Sequence, residues 1–422
     1  MNAELNLIAD KISEFSGKTL AKISPENLAQ IRALISQYVE VLVNKIGGEE
    51  AKDILNEPQR NILHIAAKFG DASQVKKIMN FANVDLSKGD FGKAADGRDA
   101  KYYANLYDEN FFTPVHYAAQ NGWSEVLKIL LENGANASPK SAPKDREWTP
   151  IHYAAKSGHL EIVKILISNR VDKEIKTSFG LTPLLVGAEF GHAEIVKFLL
   201  EERAEKNVKT IPDNHCMNAL HYAAVGGFAD VVQILLDAGI NKELQTTSGA
   251  TALHFAVSSG NAKVVEILLM SGVDKEVKTA LGHDILYLAA SKSKKEVLLL
   301  LLKWGIGDLE EALHIAKDHS NQEIVAEIER YQKAIKNLFT LKNLPMDLGG
   351  MIKNFTRENL SEGKIILENG VVFNAYGILS AKQKVGMIKK EILSLAQVAK
   401  KNGDENLASA LEILRKTVGL DK

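Results

Sequence analysis

The residues of this 422-residue chain that could do chemistry are mainly its eleven histidines. An imidazole can act as a general acid or base, and it can bind a metal ion. Six of these histidines share one sequence context, in which an apolar residue precedes the imidazole and an alanine follows two positions later. They are His64, His116, His152, His221, His254 and His314. A context that recurs six times indicates a structural role in each copy rather than one catalytic centre.

The recurring segments define a repeat. They read NILHIAA, TPVHYAA, TPIHYAA, NALHYAA, TALHFAV and EALHIAK, and two more, TPLLVGA and DILYLAA, place Leu185 and Tyr287 at the same position. Successive spacings from residue 64 to residue 314 are 52, 36, 33, 36, 33, 33 and 27 residues. A unit of 33 residues fits them, with one long insertion, two short insertions and a shortened last unit. Seven clear units and one degenerate unit therefore cover residues 57–332, numbered here as repeats 1 to 8.

Each unit is predicted to be a pair of short helices. In repeat 3, TPIHYAAKSGHLEIVKILI, Thr149 precedes Pro150 as an N-cap precedes a proline at the first helical position. Gly158 is predicted to end this helix, and a second helix over residues 160–167 carries apolar residues at helical spacing. One unit cannot bury such a face alone, so neighbouring units must stack and share a core.

This period and this sequence pattern resemble those of the ankyrin repeat. The resemblance implies an all-α fold, an ankyrin-repeat solenoid whose helix pairs are joined by short β-finger hairpins, here VDKEIKT, AEKNVKT, INKELQT and VDKEVKT. It also implies that the threonine and histidine of a unit tie its turn and helix to the next repeat by hydrogen bonds. His159 and His192 occupy another position of the motif. Only His215, His283 and His319 lack a place in it, and their spacing suits no metal site.

The chain ends depart from the repeat. Residues 1–56 are predicted to form an N-terminal helical cap, with one amphipathic helix from Leu5 to Phe15 and another that starts at Ser24-Pro25. Residues 333–422 are predicted to form a mainly helical C-terminal module containing one β-hairpin, whose turn is Asn369-Gly370. This module lacks histidine and cysteine, which removes the usual pairs of nucleophile and base.

Composition narrows the classes of function. The net charge of −1 predicts no electrostatic attraction of the whole chain to nucleic acid or to an anionic membrane. The charge is unevenly distributed, since residues 333–422 have a net charge of +6 and the rest of the chain has a net charge of −7. A single cysteine, Cys216, excludes an internal disulfide and favours a reducing compartment. The longest strongly apolar run, residues 297–302, is too short to span a bilayer, and the N-terminus lacks the basic region of a signal peptide. We therefore expect a cytoplasmic protein.

The resemblance to ankyrin repeats points to a partner-binding surface on the fingers and first helices, the concave side. The position before each histidine-bearing segment is large and apolar in repeats 2 to 5, and these side chains either form an exposed stripe or pack under their own fingers. They are Phe112, Trp148, Leu181 and Met217. First-helix positions expected to face the partner are Lys68, Phe69, Gln120, Asn121, Lys156, Ser157, Glu189 and Phe190. An aromatic-rich insertion at about 88–110, either functional or disordered, adds Tyr102, Tyr103 and Tyr107.

The function expected from these features is a non-enzymatic scaffold that binds a protein partner. We expect a monomer that needs no metal and no small-molecule cofactor. Proteins with such repeats occur in eukaryotic cells and as effectors that intracellular bacteria deliver into the host cytoplasm or nucleus, and the irregular units fit the effector class. Two alternatives place the activity in residues 333–422: an enzyme whose target the repeats recruit, or an adaptor that binds nucleic acid or lipid through its positive charge.

Overall fold

The computed structural model describes residues 3–16, 23–46, 54, 62–82, 99–143, 146–212, 215–304, 306, 309–326 and 328–329, together with two short strands. The chain divides into two compact units, Met1–Thr247 and Ser248–Lys422. The first unit contains repeats 1 to 5, and the second contains the repeats that follow. Among the described residues, no helix is long and apolar enough to cross a membrane.

The first unit is a stack of helix pairs. First helices pack against first helices, and second helices pack against second helices of the next repeat. The first helices are Ile62–Phe69, Pro114–Asn121, Pro150–Ser157, Pro183–Glu189 and Ala219–Gly226. The second helices are Ala72–Ala82, Ser124–Glu132, Leu160–Ser168, Ala193–Glu201 and Ala229–Asp237. The predicted stacking of helix pairs is therefore confirmed for this unit.

Repeat 3 shows why the sequence forms these helices. Thr149 adopts extended backbone angles and forms a capping box with His152, and Pro150 opens the helix. Gly158 ends the helix in the left-handed region with a φ of 79°. A Cβ atom on Gly158 would lie 2.7 Å from the His192 ring, so both the backbone angle and the close approach require glycine. The predicted cap and the predicted helix end are confirmed.

The fingers differ from the expected β-hairpins. In the described part of the repeats they contain no β-strand and are held by a few backbone hydrogen bonds. Ser141 N–H donates to the Trp148 carbonyl at 2.9 Å, and Thr177 N–H donates to the Leu181 carbonyl at 3.0 Å. Because the arms return after a tight turn, they are too short to build the ladder that defines a strand pair. The fingers are therefore hydrogen-bonded turns.

Among the described residues, two long helices precede repeat 1. Ala3–Ser16 packs on Pro25–Glu40, which continues as a π-helical segment, Val41–Ile46, and packs on Ile62–Phe69. The second helix starts where predicted, since the Ser24 hydroxyl accepts a hydrogen bond from the Asn27 N–H at 3.2 Å. Arg32 joins this helix to repeat 1, because its guanidinium donates to the Phe69 carbonyl at 3.0 Å and to the Gly70 carbonyl at 3.3 Å.

The described part of the insertion packs on the repeats. Residues 83–98 lie outside the described residues, and Asp99 then caps a short helix, Ala100–Ala104. Asn105 fastens this helix to repeat 2, because its side chain donates to the Gly134 carbonyl at 3.1 Å and accepts from the Asn136 N–H at 2.6 Å. The part of the insertion that begins at Asp99 is thus an integral part of the first unit.

The second unit continues the helix pairs and adds two strands. Its helices are Ala252–Ser259, Ala262–Met270, Ile285–Ser291, Lys295–Lys303 and Leu309–Asp318. Strand Lys364–Ile366 pairs antiparallel with Val372–Asn374, with Ile365 opposite Phe373. The predicted turn at Asn369-Gly370, like most of residues 330–422, lies outside the described residues.

Candidate partner-binding surface

The histidines of repeats 1 to 3 bond each layer to the next. The His152 Nδ1 atom accepts a hydrogen bond from the Thr149 N–H at 3.2 Å, so its Nε2 atom must carry the proton. Nε2 donates to the carbonyls of Ile175 and Leu181 at 3.1 and 3.0 Å, both in the finger that leads to repeat 4. His116 repeats the arrangement, with the Thr113 N–H at 3.0 Å on one side and the Trp148 carbonyl at 3.4 Å on the other.

Burial keeps these imidazoles neutral. Desolvation lowers the pKa of His116 and of His152 from 6.5 to about 4, although backbone carbonyls that accept from the rings partly oppose the change. A neutral ring is also the form that can accept at Nδ1 while it donates at Nε2. In the part of the chain that the structure describes, no three His, Cys, Asp or Glu side chains converge as a metal site would require. The buried histidines therefore serve architecture, as the resemblance implied. His314 does not follow this pattern, because it is exposed and its Nδ1 atom lies 2.9 Å from the Asp318 carboxylate.

Aromatic rings and lysines connect the first four repeats in a continuous row. Lys68 Nζ lies 5.7 Å from the centre of the Tyr117 ring, and the Tyr117 and Phe112 rings are 5.3 Å apart. Phe112 is 5.1 Å from Tyr153, which is 5.4 Å from Trp148. We call these residues, together with Lys156 and Phe190, the aromatic row. Its members are Lys68, Tyr117, Phe112, Tyr153, Trp148, Lys156 and Phe190.

The aromatic row reaches solvent at its repeat 3 and repeat 4 end. Lys156 is exposed, and its Nζ lies 5.3 Å from the centres of both the Trp148 ring and the Phe190 ring. Phe190 ends its helix with 37% of its surface exposed. An ammonium between two ring faces is a favourable cation–π geometry, and the contact holds both side chains in place. An exposed aromatic that is already ordered can contact a partner at a low cost in conformational entropy.

The predicted stripe of apolar side chains before each histidine segment does not form an exposed surface. Trp148, Leu181 and Met217 expose only 7, 1 and 9% of their surface, and Phe112 is half-buried. The Trp148 ring packs near the rings of His152 and Tyr153 in its own repeat, and at Trp148 and Leu181 the backbone carbonyl accepts from the histidine of the preceding repeat. Of the two alternatives, local packing is the one observed.

The predicted first-helix positions divide by exposure. Phe69 is fully buried, whereas Lys68, Gln120, Asn121 and Ser157 are partly exposed. Asn121 serves the neighbouring layer, since its side chain donates to the Lys68 carbonyl at 3.1 Å. Among the predicted first-helix positions, Lys156 and Phe190 are the most exposed.

Glu189 adds charge beside this end of the row. Burial raises the pKa of its carboxyl, while the nearby Arg146 and Lys156 act to lower it. Among the described atoms, its buried Oε2 has no hydrogen-bond partner. Sequence reasoning missed Arg146, whose guanidinium lies 4.9 Å from the centre of the Phe179 ring in the next finger. The available signal was the short insertion before repeat 3, which carries this arginine to the next fingertip.

The tyrosines of the insertion have different environments. Tyr103 is buried between the insertion helix and the repeats, so it is a core residue rather than a contact residue. Tyr102 and Tyr107 are exposed. Two of the three tyrosines predicted in the insertion are therefore exposed to solvent.

The comparison with known protein families agrees with this architecture. The sequence profile described as Ankyrin repeats (3 copies) matches residues 29–141, 63–177, 116–210, 210–279 and 253–337. The Ankyrin repeat and LEM domain-containing protein 2 homolog of Caenorhabditis elegans is 32% identical over 146 residues, which are 31% of this chain and 23% of that protein. The chain thus spans less than a quarter of that relative's length. The crystal structure of the ankyrin repeat domain of Bcl-3, a unique member of the IkappaB protein family, has 26% identity over 56% of this chain and 96% of that domain, with a TM-score of 0.45.

Proposed function

Because this chain belongs to the ankyrin repeat family, we propose that it is a non-enzymatic scaffold that binds a protein partner through the first helices and fingers of repeats 1 to 4. The observation that carries this proposal is the aromatic row, which spans four layers and ends in the exposed pair of Lys156 and Phe190. Binding energy at protein interfaces concentrates on aromatic and cationic anchors supported by packed neighbours. The buried members of the row supply that support.

The exposed end of the row combines an apolar contact with charge. Phe190 offers a ring face, Lys156 a cation, and Glu189 a carboxylate beside them. Opposite charges so close together suit the mixed surface of a protein better than a polyanion. The partner therefore contacts Phe190 with an apolar side chain and pairs its own polar groups with the charges on either side.

The helices before repeat 1 are proposed to cap the stack. A first repeat without a neighbour would expose its apolar face to water. The bonds from Arg32 to the Phe69 and Gly70 carbonyls, and the packing of Pro25–Glu40 on Ile62–Phe69, support this role for residues 1–56. A C-terminal module over residues 333–422, including the predicted hairpin, completes the proposed organisation, and the strand pair is consistent with it.

A photo-crosslinking experiment tests the binding surface. A benzoylphenylalanine at position 190 of the full chain is expected to crosslink a partner from lysate, and Lys156→Ala in the same chain is expected to reduce the yield. The matched control places the crosslinker at Met270, an exposed apolar residue at the end of a second helix. If both positions yield the same products, or if Lys156→Ala has no effect, the proposed surface is wrong.

A further inference from the structure

Two cations of the first unit lie against aromatic rings and are not paired with acidic side chains. The Arg146 guanidinium lies 4.9 Å from the centre of the Phe179 ring. Lys156 Nζ lies 5.3 Å from the centres of both the Trp148 ring and the Phe190 ring. Within the described part of the chain, neither cation forms an ion pair. Both side chains are exposed, so both charges are accessible to a partner.

The side chain of Glu189 shows that the two cations belong to one cluster. Arg146 and Lys156 both lie close enough to this carboxyl to oppose the rise in its pKa that burial causes. Among the described atoms, the buried Oε2 atom of Glu189 has no hydrogen-bond partner. Two exposed cations around one half-buried carboxyl leave an excess of positive charge. We call Arg146, Lys156, Glu189 and Phe190 the charged cluster.

The described acidic side chains of the two neighbouring fingers are bonded elsewhere. Before repeat 3, the Glu147 carboxylate accepts from Lys140 Nζ at 2.7 Å. Before repeat 4, Asp172 Oδ1 accepts from the Glu174 N–H at 2.9 Å, and Glu174 Oε1 accepts from the Glu205 N–H at 2.9 Å. The acids that could pair with the charged cluster are therefore occupied, while its cations are not.

The geometry of the cluster suits a carboxylate from a partner. The Ser178 N–H donates to the Arg146 carbonyl at 3.0 Å, which holds the backbone of Arg146 against the next fingertip. A guanidinium that lies on a ring can still donate two parallel hydrogen bonds to a carboxylate. A basic segment would be repelled by the two cations, whereas an acidic segment is attracted to them. The exposed Phe190 ring adds an apolar contact beside these charges.

We propose that the charged cluster binds an acidic segment of the protein partner, in which a carboxylate side chain lies next to an apolar one. The partner carboxylate pairs with the Arg146 guanidinium and the Lys156 ammonium, and the apolar side chain packs on the Phe190 ring. A backbone N–H of the same segment donates to Glu189 Oε2. This inference rests on the proposed function, because it names the chemistry of the partner at the same surface.

The test measures, at low ionic strength, the affinity of the full chain for a short fluorescent peptide in which glutamate and leucine alternate. Peptides with glutamine or lysine in place of glutamate are the comparison. We expect the glutamate peptide to bind most tightly and the lysine peptide least tightly, and added salt to weaken the glutamate peptide. Arg146→Gln should weaken its binding about three- to tenfold, and Lys156→Gln about twofold to fivefold.

Two further variants separate this contact from folding and from a general attraction of acids. Lys197→Gln makes the same change of charge at an exposed lysine on the second helix of repeat 4 and should leave the affinity unchanged. Glu189→Gln should strengthen binding of the glutamate peptide about twofold to fivefold, because it removes a negative charge beside the bound carboxylate. A gain of affinity cannot result from partial unfolding, so this variant tests the contact itself.

Equal affinities for the glutamate and glutamine peptides would overturn the proposal, and so would equal losses in Arg146→Gln and Lys197→Gln. A single-stranded oligonucleotide that binds more tightly than the glutamate peptide, and whose binding is lost in Arg146→Gln, would assign the cations to nucleic acid instead. The proposal can also fail independently of the proposed function. If the crosslinker at position 190 captures a partner while the glutamate peptide does not bind, the surface stands and its preference for an acidic segment is wrong.

Discussion

Acidification should destabilise the first unit through its buried histidines. In the unfolded chain a histidine titrates near 6.5, whereas burial lowers the pKa of His116 and of His152 to about 4. Between these two values the unfolded state binds more protons than the folded state. Stability is therefore fully present above pH 6.5 and is lost as the pH falls toward 4.

The size of the effect follows from the two pKa values. Between pH 7.5 and pH 5, each of these histidines should remove about 2 kcal/mol of the free energy of unfolding, so the pair removes about 4 kcal/mol. His64 and His254 change the stability in the same direction, because burial lowers their pKa as well. A loss of this size is a large part of the stability of an ordinary domain, which is about 5 to 15 kcal/mol.

Urea unfolding at the two pH values provides the assay, and Trp148 is a suitable fluorescent reporter because its ring lies 6.0 Å from that of His152. His152→Leu removes one titrating group, and Leu185 shows that the repeat accommodates leucine at this position. The variant is expected to be less stable at pH 7.5 but to lose about 2 kcal/mol less on acidification. An unchanged pH dependence in His152→Leu, or an NMR titration of the His152 ring near 6.5, would refute the reasoning.

Three further substitutions test the contacts that hold the layers together. Gly158→Ala should cost about 1 to 3 kcal/mol in urea unfolding, because it combines a left-handed backbone with a clash against His192. Tyr117→Phe should cost about 1 to 3 kcal/mol by the same measurement, since it removes the 2.6 Å hydrogen bond to the half-buried Asp108 carboxylate. Arg32→Ala should speed hydrogen exchange in the first helix of repeat 1 while the later repeats keep their rates, and a uniform change across the unit would contradict the proposed cap.

Local sequence was sufficient for the features that depend on one repeat and its copies. The Thr149-Pro150 cap, the Gly158 end and the buried histidines of repeats 1 to 3 could be predicted because each follows from propensity, turn chemistry or a constant spacing.

The solvent exposure of individual side chains could not be predicted from the sequence in the same way. Trp148 and Phe190 are both large aromatics near the expected partner-binding face, yet one exposes 7% of its surface and the other 37%. The difference depends on where the finger of each repeat folds and on what the next layer places against it, such as the Lys156 side chain between the two rings. No periodicity within one unit encodes these contacts.

The sequence by itself determined that this protein is a stack of ankyrin repeats with structural histidines, because a 33-residue period is a property of the chain. The tertiary structure alone decided which side chains reach solvent and that the arginine before repeat 3 meets the next fingertip. The physical reason is that burial, desolvation and ring contacts depend on residues that are distant along the chain and become neighbours only when the layers pack.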